Sequence, residues 1–286
     1  MSANDKLKEL KSLLAQLGGV VIGYSGGVDS TFLSAVTHQV LGDKMLAVSA
    51  RSETYPSREA KEAEELAKQL GFRHTFIDTS ELGIEGYSDN PPDRCFFCKS
   101  ELFTKLIEIA RKEGLNNVAD GTNADDARDY RPGMKAAANL GVRSPLKEAG
   151  LTKDDIRALS KEMGLPTWNK PSFACLASRF PYGTKITAER LAMVDQAEEF
   201  LHNHGIHQVR VRHYPLRAED DNKSTAVSGY LARIEVNEQD LPRFLEESFR
   251  EAVVAKLKEI GYLYVALDLQ GYRTGSMNEA LGKNKR

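Results

Sequence analysis

The sequence lacks the features that define several broad classes of protein. No apolar run approaches the ~20 residues that a membrane-spanning helix needs. The charged, amphipathic segment at residues 1–19 has no signal-peptide core, so the protein is expected to reside in the cytoplasm. Its 39 Lys and Arg against 41 Asp and Glu give a net charge of -2, which offers no case for nucleic acid as the main partner. With 41% hydrophobic and 28% charged residues, the composition is that of an ordinary globular protein.

Cysteine is also scarce, since the 286 residues include only Cys95, Cys98 and Cys175. An odd, small number of cysteines argues against a disulfide framework. Zinc usually takes four closed ligands, and none of the six histidines lies near the Cys-x-x-Cys pair in the sequence. Three thiolates with one open position can instead hold a 4Fe-4S cluster. A redox pair, or two buried structural cysteines, are the alternatives for Cys95 and Cys98.

One short stretch carries the strongest chemical signal in the chain. The apolar run Val20–Ile22 leads into Tyr-Ser-Gly-Gly-Val-Asp-Ser at residues 24–30, and an apolar-periodic segment, Thr31–Leu41, follows it. This order predicts a buried strand, a glycine loop and a helix. Adjacent glycines let several amides point to one place, and the helix adds the positive end of its dipole. We therefore expect Ser25, Gly26, Gly27 and Ser30 to bind phosphate oxygens.

The loop lacks the Gly-Lys-Ser/Thr ending of a Walker A motif and has an acid, Asp29, in its place. A carboxylate beside phosphates is expected where Mg2+ bridges them. The pattern Ser-Gly-Gly-x-Asp-Ser resembles the PP-loop of the ATP pyrophosphatases. That resemblance implies cleavage of ATP between its α and β phosphates, with pyrophosphate kept in the loop. The alternative is a glycine turn that caps an ordinary helix.

The flanking sequence predicts an α/β domain with a parallel sheet, because short apolar strands alternate with helical segments. Ligands of such sheets bind at the carboxyl ends of the strands. Ser49, at the end of the second strand, is therefore expected near a nucleotide. Gly121 and Asn123 follow the fourth strand in a Gly-x-Asn-x-x-Asp pattern that resembles a second nucleotide-side motif of PP-loop enzymes. The predicted strands are Val20–Ile22, Met45–Ser49, Arg73–Asp78 and Asn117–Ala119, with helices at Lys6–Leu17, Ser57–Leu70, Lys99–Glu113 and Thr152–Met163.

The second half of the chain predicts a smaller α+β domain, residues 185–286, after a PP-loop domain at residues 1–184. Residues 208–214 alternate apolar with charged positions, which indicates a half-buried strand with Arg210 and Arg212 on one face. A solvated strand face is the alternative for these arginines. Residues 80–94 form a long polar segment that is expected to be a lid or a site element. The prolines and glycine of residues 168–183 predict a second loop, held in place by packing. The first delivers Cys95 and Cys98 to a helix start, and the second carries Cys175.

Several further stretches together resemble the LarE family of sulfur transferases, and they span nearly the full length of the chain. The family resemblance implies a reaction that builds the nickel-pincer nucleotide cofactor of lactate racemase. ATP adenylates a carboxylate of a pyridinium biscarboxylic acid mononucleotide, and sulfur then replaces AMP to give a thiocarboxylate. The matching stretches are the phosphate loop, Asp120–Asn123, Asp129–Gly133, Trp168–Lys170, Ser178–Gly183, Val209–Arg212, Arg233–Glu235 and Leu267–Arg273.

The resemblance also assigns roles to residues. It makes Cys175 the cysteine that handles sulfur. It implies that the substrate phosphate is held by Arg210 and Arg212, together with Ser178 or Arg179. A guanidinium fork suits a phosphate well. In the sacrificial form of the family, Cys175 gives up its own sulfur. Relatives that carry a Cys-x-x-Cys like Cys95–Cys98 are thought to bind a 4Fe-4S cluster with all three cysteines. The cluster form is favoured here, and the sacrificial form remains the alternative.

The family implies homo-oligomers and cooperation with other proteins that mature the racemase cofactor. Three other functions compete with this interpretation. A PP-loop tRNA thiolase would bind tRNA, an amide-forming PP-loop synthetase would not need Cys175, and a regulatory nucleotide-binding module would release no pyrophosphate.

Overall fold

The computed structural model describes residues 1–128, 132–171, 174–216, 228–273 and 275–281. These residues form two compact units, one of residues 1–84 with 93–173 and one of residues 85–92 with 174–286. The stretch at residues 129–133, which resembles the LarE family, lies partly outside the described residues. Residues 172 and 173, in the predicted loop at residues 168–183, also lie outside them. No helix in the described ranges is both long and apolar enough to cross a lipid bilayer.

The first unit is built on a parallel four-stranded sheet with the order β3-β2-β1-β4. Its strands are β1 (Val20–Gly23), β2 (Met45–Arg51), β3 (His74–Asp78) and β4 (Asn117–Ala119). Its helices are α1 (Ala3–Leu17), α2 (Val28–Leu41), α3 (Ser57–Leu70), α4 (Arg94–Lys112), α5 (Pro132–Asn139), α6 (Pro145–Glu148) and α7 (Lys153–Glu162). The predicted α/β class with a parallel sheet is confirmed.

Both faces of this sheet are covered, which explains why its central strands carry continuous apolar runs, Val20–Ile22 in β1 and Met45–Val48 in β2. Val20 and Ile22 of β1 pack into one hydrophobic cluster with residues of α1, α2 and α7. Val21, between them, packs into a second cluster with residues of α4 and α5. The carboxyl ends of β1 and β4 therefore lie side by side at one edge, because these strands pair in parallel register.

Two of the helices that carry predicted site residues begin earlier than the sequence predicts. Helix α2 starts at Val28 rather than Thr31, so Asp29 and Ser30 lie in its first turn. Helix α4 starts at Arg94 rather than Lys99, so Cys95 and Cys98 belong to the helix and not to a loop before it. Element boundaries are the least reliable part of a sequence pattern, and both starts were placed too late.

The second unit is a small α+β unit with a three-stranded sheet in the order β5-β6-β7. Strands β5 (Val209–Pro215) and β6 (Tyr230–Val236) pair antiparallel, and β7 (Tyr264–Leu267) pairs parallel with β6. Helices α8 (Ala188–Asn203) and α9 (Glu247–Ile260) pack on it around a separate hydrophobic cluster. The prediction that β5 is half-buried is wrong, because Arg210 and Arg212 are only 6% and 5% exposed.

A short early segment completes the second unit. Asn90 is fully buried with φ of 54°, a left-handed conformation that asparagine tolerates better than most residues. The side-chain amide of Asn90 donates to the backbone carbonyls of Phe180 and Pro181 at 3.3 and 2.7 Å. The backbone carbonyl of Asn90 accepts from the backbone amide of Gly183 at 3.1 Å. Residues 85–92 thus pack within the unit that contains Cys175.

Candidate active site

The phosphate loop, residues 24–30, joins β1 to α2 as the sequence predicts. Gly26 has φ of 64°, and a Cβ there would lie 2.9 Å from Cβ of Ala63, so a side chain would be both strained and sterically blocked. Gly27 precedes α2 without any side-chain cap. The first-turn amides of α2, with the positive end of the helix dipole, are therefore available to an anion.

The two serines of the loop converge on each other. The Ser25 amide donates to the Ser30 hydroxyl at 3.2 Å, and the two hydroxyl oxygens lie 3.1 Å apart. Gly121, in the loop after β4, packs against the same turn, since a Cβ on Gly121 would lie 3.1 Å from the Ser30 nitrogen. These three residues form one continuous surface at the carboxyl ends of β1 and β4.

Asp29 combines an ion pair with an unused oxygen. Its Oδ2 lies 2.6 Å from the ammonium of Lys153, the first residue of α7. Its Oδ1 is buried and accepts no hydrogen bond within the described residues. Carboxylate oxygens are the ligands that Mg2+ prefers, so this oxygen fits the predicted magnesium role. The loop sequence has no lysine, and the structure supplies one from 124 positions further along the chain.

Asn123 and Ser49 are already engaged by the protein. Oδ1 of Asn123 accepts from the amides of Asp125 and Asp126 at 2.9 and 3.3 Å, so it caps the short 3-10 turn that follows. The hydroxyl of Ser49 donates to the carbonyl of Tyr24 at 2.8 Å. Contacts from either side chain to a nucleotide remain a prediction.

A cavity of about 280 Å³ opens at the carboxyl end of β2. It lies between that strand end and the start of α3, and β2 is the neighbour of β1 in the sheet. Its lining residues are Arg51, Ser52, Tyr55, Ser57, Ala60, Lys61 and Glu64. The cavity is consistent with the expectation that a nucleotide binds near the carboxyl end of the second strand.

The Cys-x-x-Cys pair occupies the first turn of α4. Cys95 is exposed and Cys98 is half-buried, and both are thiols. The Cys98 Sγ lies 3.8 Å from Oε1 of Glu81, whose buried carboxylate also accepts from the hydroxyls of Thr54 and Thr79. Within the described ranges, no three His, Cys, Asp or Glu side chains form a metal-binding group. Cluster binding by Cys95, Cys98 and Cys175 is therefore not supported by these residues as placed, and it stays a prediction.

In the second unit, Arg179 holds the segment that carries Cys175. Its guanidinium makes a bidentate pair with Glu198, at 2.9 and 2.8 Å, and also donates to the carbonyl of Cys175 at 2.9 Å and the hydroxyl of Ser178 at 3.0 Å. Burial opposes both charges, but the pair outweighs it, so the pKa of Arg179 is raised and that of Glu198 is lowered. These contacts indicate a structural role for Arg179, and phosphate binding by it stays a prediction.

Arg210 and Arg212 lie on the same face of β5, as predicted. Arg212 donates to Glu235 at 2.6 Å and to the carbonyl of Ser178 at 3.0 Å. The pKa of Arg210 is lowered, first by burial and then by the nearby charges of Arg179 and Arg212. Arg179 and Arg212 are paired with the buried carboxylates of Glu198 and Glu235, so phosphate binding by Arg210 and Arg212 stays a prediction. The sequence pattern located these two arginines, but it did not reveal the carboxylates beside them.

The parallel sheet and the glycine loop at its edge define a PP-loop protein of the ATP pyrophosphatase class. A family profile described as NAD synthase matches residues 4–89. The chain is 37% identical over 279 residues to pyridinium-3,5-bisthiocarboxylic acid mononucleotide synthase of Lactiplantibacillus plantarum, covering 97% of this chain and 95% of that protein. It belongs to the LarE family, to which that synthase belongs.

Two other relatives match over most of their length. An uncharacterised protein of Synechocystis sp. is 41% identical over 278 residues, which cover 97% of this chain and 98% of the relative. An uncharacterised protein of Methanocaldococcus jannaschii is 29% identical over 255 residues, covering 89% of this chain and 91% of the relative. The likeness to these proteins includes both units.

Proposed function

We propose that this protein is an ATP-dependent sulfurtransferase that converts carboxylates of a pyridinium biscarboxylic acid mononucleotide into thiocarboxylates, in maturation of the nickel-pincer nucleotide cofactor. The observation that carries the proposal is the full-length likeness to the synthase of L. plantarum, combined with a phosphate loop of the ATP pyrophosphatase type. Its substrate is thus a small nucleotide, in keeping with a net charge of only -2.

In the first step, a substrate carboxylate oxygen attacks the α-phosphorus of ATP, forming an acyl-adenylate and releasing pyrophosphate. The amides at the start of α2, with the hydroxyls of Ser25 and Ser30, bind the departing pyrophosphate. Mg2+, when bound to Asp29, would neutralise charge on these phosphates. Lys153 is placed to share that role, because its ammonium already lies at the same carboxylate.

In the second step, sulfur attacks the activated carbonyl carbon and AMP leaves. In the sacrificial route, the Cys175 thiolate forms a thioester; loss of its α-proton then breaks the Cβ–S bond, leaving dehydroalanine on the protein and sulfur on the substrate. In the favoured route, a 4Fe-4S cluster held by Cys95, Cys98 and Cys175 would supply the sulfide. Arg210 and Arg212 would hold the substrate phosphate in both routes.

The proposal is tested by incubating the purified protein with ATP, Mg2+ and pyridinium-3,5-biscarboxylic acid mononucleotide under anaerobic conditions. Pyrophosphate release, with replacement of carboxylate oxygen by sulfur in the product's mass spectrum, is the expected result. Sulfur incorporation into tRNA instead of the mononucleotide would overturn the proposal in favour of a tRNA thiolase. Full activity of a Cys175→Ala variant would point to an amide-forming synthetase.

A cytoplasmic location, assembly into homo-oligomers and cooperation with other cofactor-maturation proteins remain predictions of the sequence analysis.

A further inference from the structure

Four consecutive carbonyl groups of the phosphate loop are held by side chains. Each accepts a hydrogen bond from a different donor, and three of the four donors lie outside the loop. The pairs are Tyr24 with the Ser49 hydroxyl (2.8 Å), Ser25 with the Tyr55 hydroxyl (2.8 Å), Gly26 with the Lys170 ammonium (3.4 Å) and Gly27 with the Ser30 hydroxyl (3.4 Å).

This arrangement fixes the direction of the loop amides. In a trans peptide, the C=O of one residue and the N–H of the next point in opposite directions, and the described chain has no cis peptides. Holding the Ser25 carbonyl therefore aims the Gly26 amide, and holding the Gly26 carbonyl aims the Gly27 amide. Within the described residues, these two amides donate to no protein acceptor. Each amide therefore points away from the side chain that holds the preceding carbonyl.

The donors are themselves held in place. Lys170 is bound by the carboxylates of Glu59 and Glu62 at 2.8 and 2.9 Å, both in the first half of α3. Burial raises the pKa of Tyr55, and nearby Glu59 raises it further, so its hydroxyl remains a donor. Helix α3 also abuts the loop directly, because Ala63 fills the space beside Gly26. The side chains that donate to the loop carbonyls thus form, together with α3, one support for the loop.

We propose that Tyr55 and Lys170 are positioning residues that preorganise the phosphate loop, by holding the carbonyls of Ser25 and Gly26 so that the amides of Gly26 and Gly27 bind pyrophosphate. This inference rests on the proposed function, since it concerns the same pyrophosphate site. Neither residue belongs to the Ser-Gly-Gly-x-Asp-Ser pattern, and neither is expected to contact pyrophosphate itself, although Tyr55 also lines the cavity at the end of β2. Their effect is to remove the cost of orienting two flexible glycine peptides on binding.

The test measures inorganic pyrophosphate binding by calorimetry and ATP turnover by pyrophosphate release, in Tyr55→Phe and Lys170→Met. Each loses one hydrogen bond to a loop carbonyl, so the pyrophosphate Kd and the KM for ATP should rise in parallel by about three- to tenfold. The kcat at saturating ATP should change by less than about twofold, because the loop binds the phosphates before and during the reaction. Lys170→Arg keeps the cation and should restore most of the affinity.

Matched controls exist elsewhere in the chain. Tyr264→Phe removes an exposed tyrosine hydroxyl in the second unit, and Lys105→Met removes a lysine that holds the Asp78 carbonyl at 3.0 Å and pairs with Glu101. Both should leave pyrophosphate binding unchanged. Wild-type affinity in folded Tyr55→Phe and Lys170→Met would overturn the inference. If the wild-type protein binds pyrophosphate but transfers no sulfur, the proposed function fails while the positioning role stands.

Discussion

The ammonium of Lys153 lies 2.6 Å from Oδ2 of Asp29, although the two residues are 124 positions apart in the sequence. The backbone amide of Lys153 also donates to Asp125 at 2.8 Å, which fixes the start of α7 beside the loop that follows β4. The phosphate loop therefore receives a cation from another helix, where a Walker A loop would carry one within its own sequence.

Replacing Lys153 by Met should lower kcat/KM for ATP by about 10- to 100-fold, because a charge-assisted hydrogen bond near the phosphates is lost. The measurement is pyrophosphate release over a range of ATP concentrations. Lys256→Met removes a surface lysine that pairs with Glu259 in the second unit and should have no effect. Equal kinetics in the two variants would contradict a role for Lys153 at the phosphates.

Asp29→Ala should reduce pyrophosphate release at least ~100-fold, since the carboxylate predicted to hold Mg2+ is gone. The fold should survive, because Asp29 and Lys153 are both partly exposed and such pairs contribute little stability. Circular dichroism and thermal unfolding provide the control for folding. Normal turnover, with an unchanged dependence on Mg2+ concentration, would refute the metal role.

Cys95→Ala separates the two sulfur routes. If the three cysteines bind a cluster, the anaerobic protein should contain ~4 irons per chain, and this variant should lose iron and activity together. If Cys175 is sacrificial, Cys95→Ala should be harmless, because Cys95 is exposed in the first turn of α4. Mass spectrometry after one turnover should then show the ~34 Da loss that accompanies conversion of a cysteine to dehydroalanine.

Arg179 and Arg210 should respond in opposite ways to replacement by Met. Arg179→Met leaves Glu198 buried without its partner and should destabilise the protein by about 3–5 kcal/mol. Arg210→Met removes a charge that burial and two neighbouring arginines already disfavour, so it should cost little stability but weaken binding of the mononucleotide. Thermal unfolding and substrate KM distinguish these outcomes, and a large stability loss in Arg210→Met would contradict them.

His213 should make the protein sensitive to acid. It is fully buried beside the rings of Phe180, Tyr230 and Tyr262, and burial lowers its pKa to about 4. Between its unfolded pKa of about 6.5 and pH 4, the unfolded chain binds a proton that the folded state excludes. The free energy of unfolding should therefore fall by about 3 kcal/mol as the pH drops through this range.

The control for this prediction is His213→Phe, which keeps an aromatic ring in the cluster and removes the titrating group. Urea unfolding at pH 7 and pH 4.5 measures the difference. The same loss of stability in the variant and the wild type would assign the acid sensitivity to other groups.

The sequence was sufficient for the sheet, the phosphate loop and the class of enzyme, because each rests on a local pattern. Val20–Ile22 followed by two glycines and Asp29 predicts strand, loop and helix without reference to the rest of the chain. Helix α3 matches its predicted bounds, Ser57–Leu70, for the same reason. Its ends are marked locally, because Pro56 precedes the first residue and Gly71 follows the last.

The residues that complete the site were harder to predict, because long-range pairing leaves no periodic signal. Nothing local to Lys153 or Lys170 indicates that one reaches Asp29 and the other the carbonyl of Gly26. The burial of β5 was missed for a similar reason. Arginines normally face solvent, and only the positions of Glu198 and Glu235 explain why Arg210 and Arg212 are buried.

The placement of Asn90 has a consequence for how the chain could be divided or made. Its amide satisfies the carbonyls of Phe180 and Pro181, yet it precedes them by about 90 positions. During synthesis, residues 85–92 must therefore wait for residues 174–186 to emerge before this part of the second unit can close. Dividing the chain after residue 173 would separate residues 85–92 from the rest of the second unit. Exchange of the C-terminal region between relatives should therefore succeed only when residues 85–92 are exchanged with it.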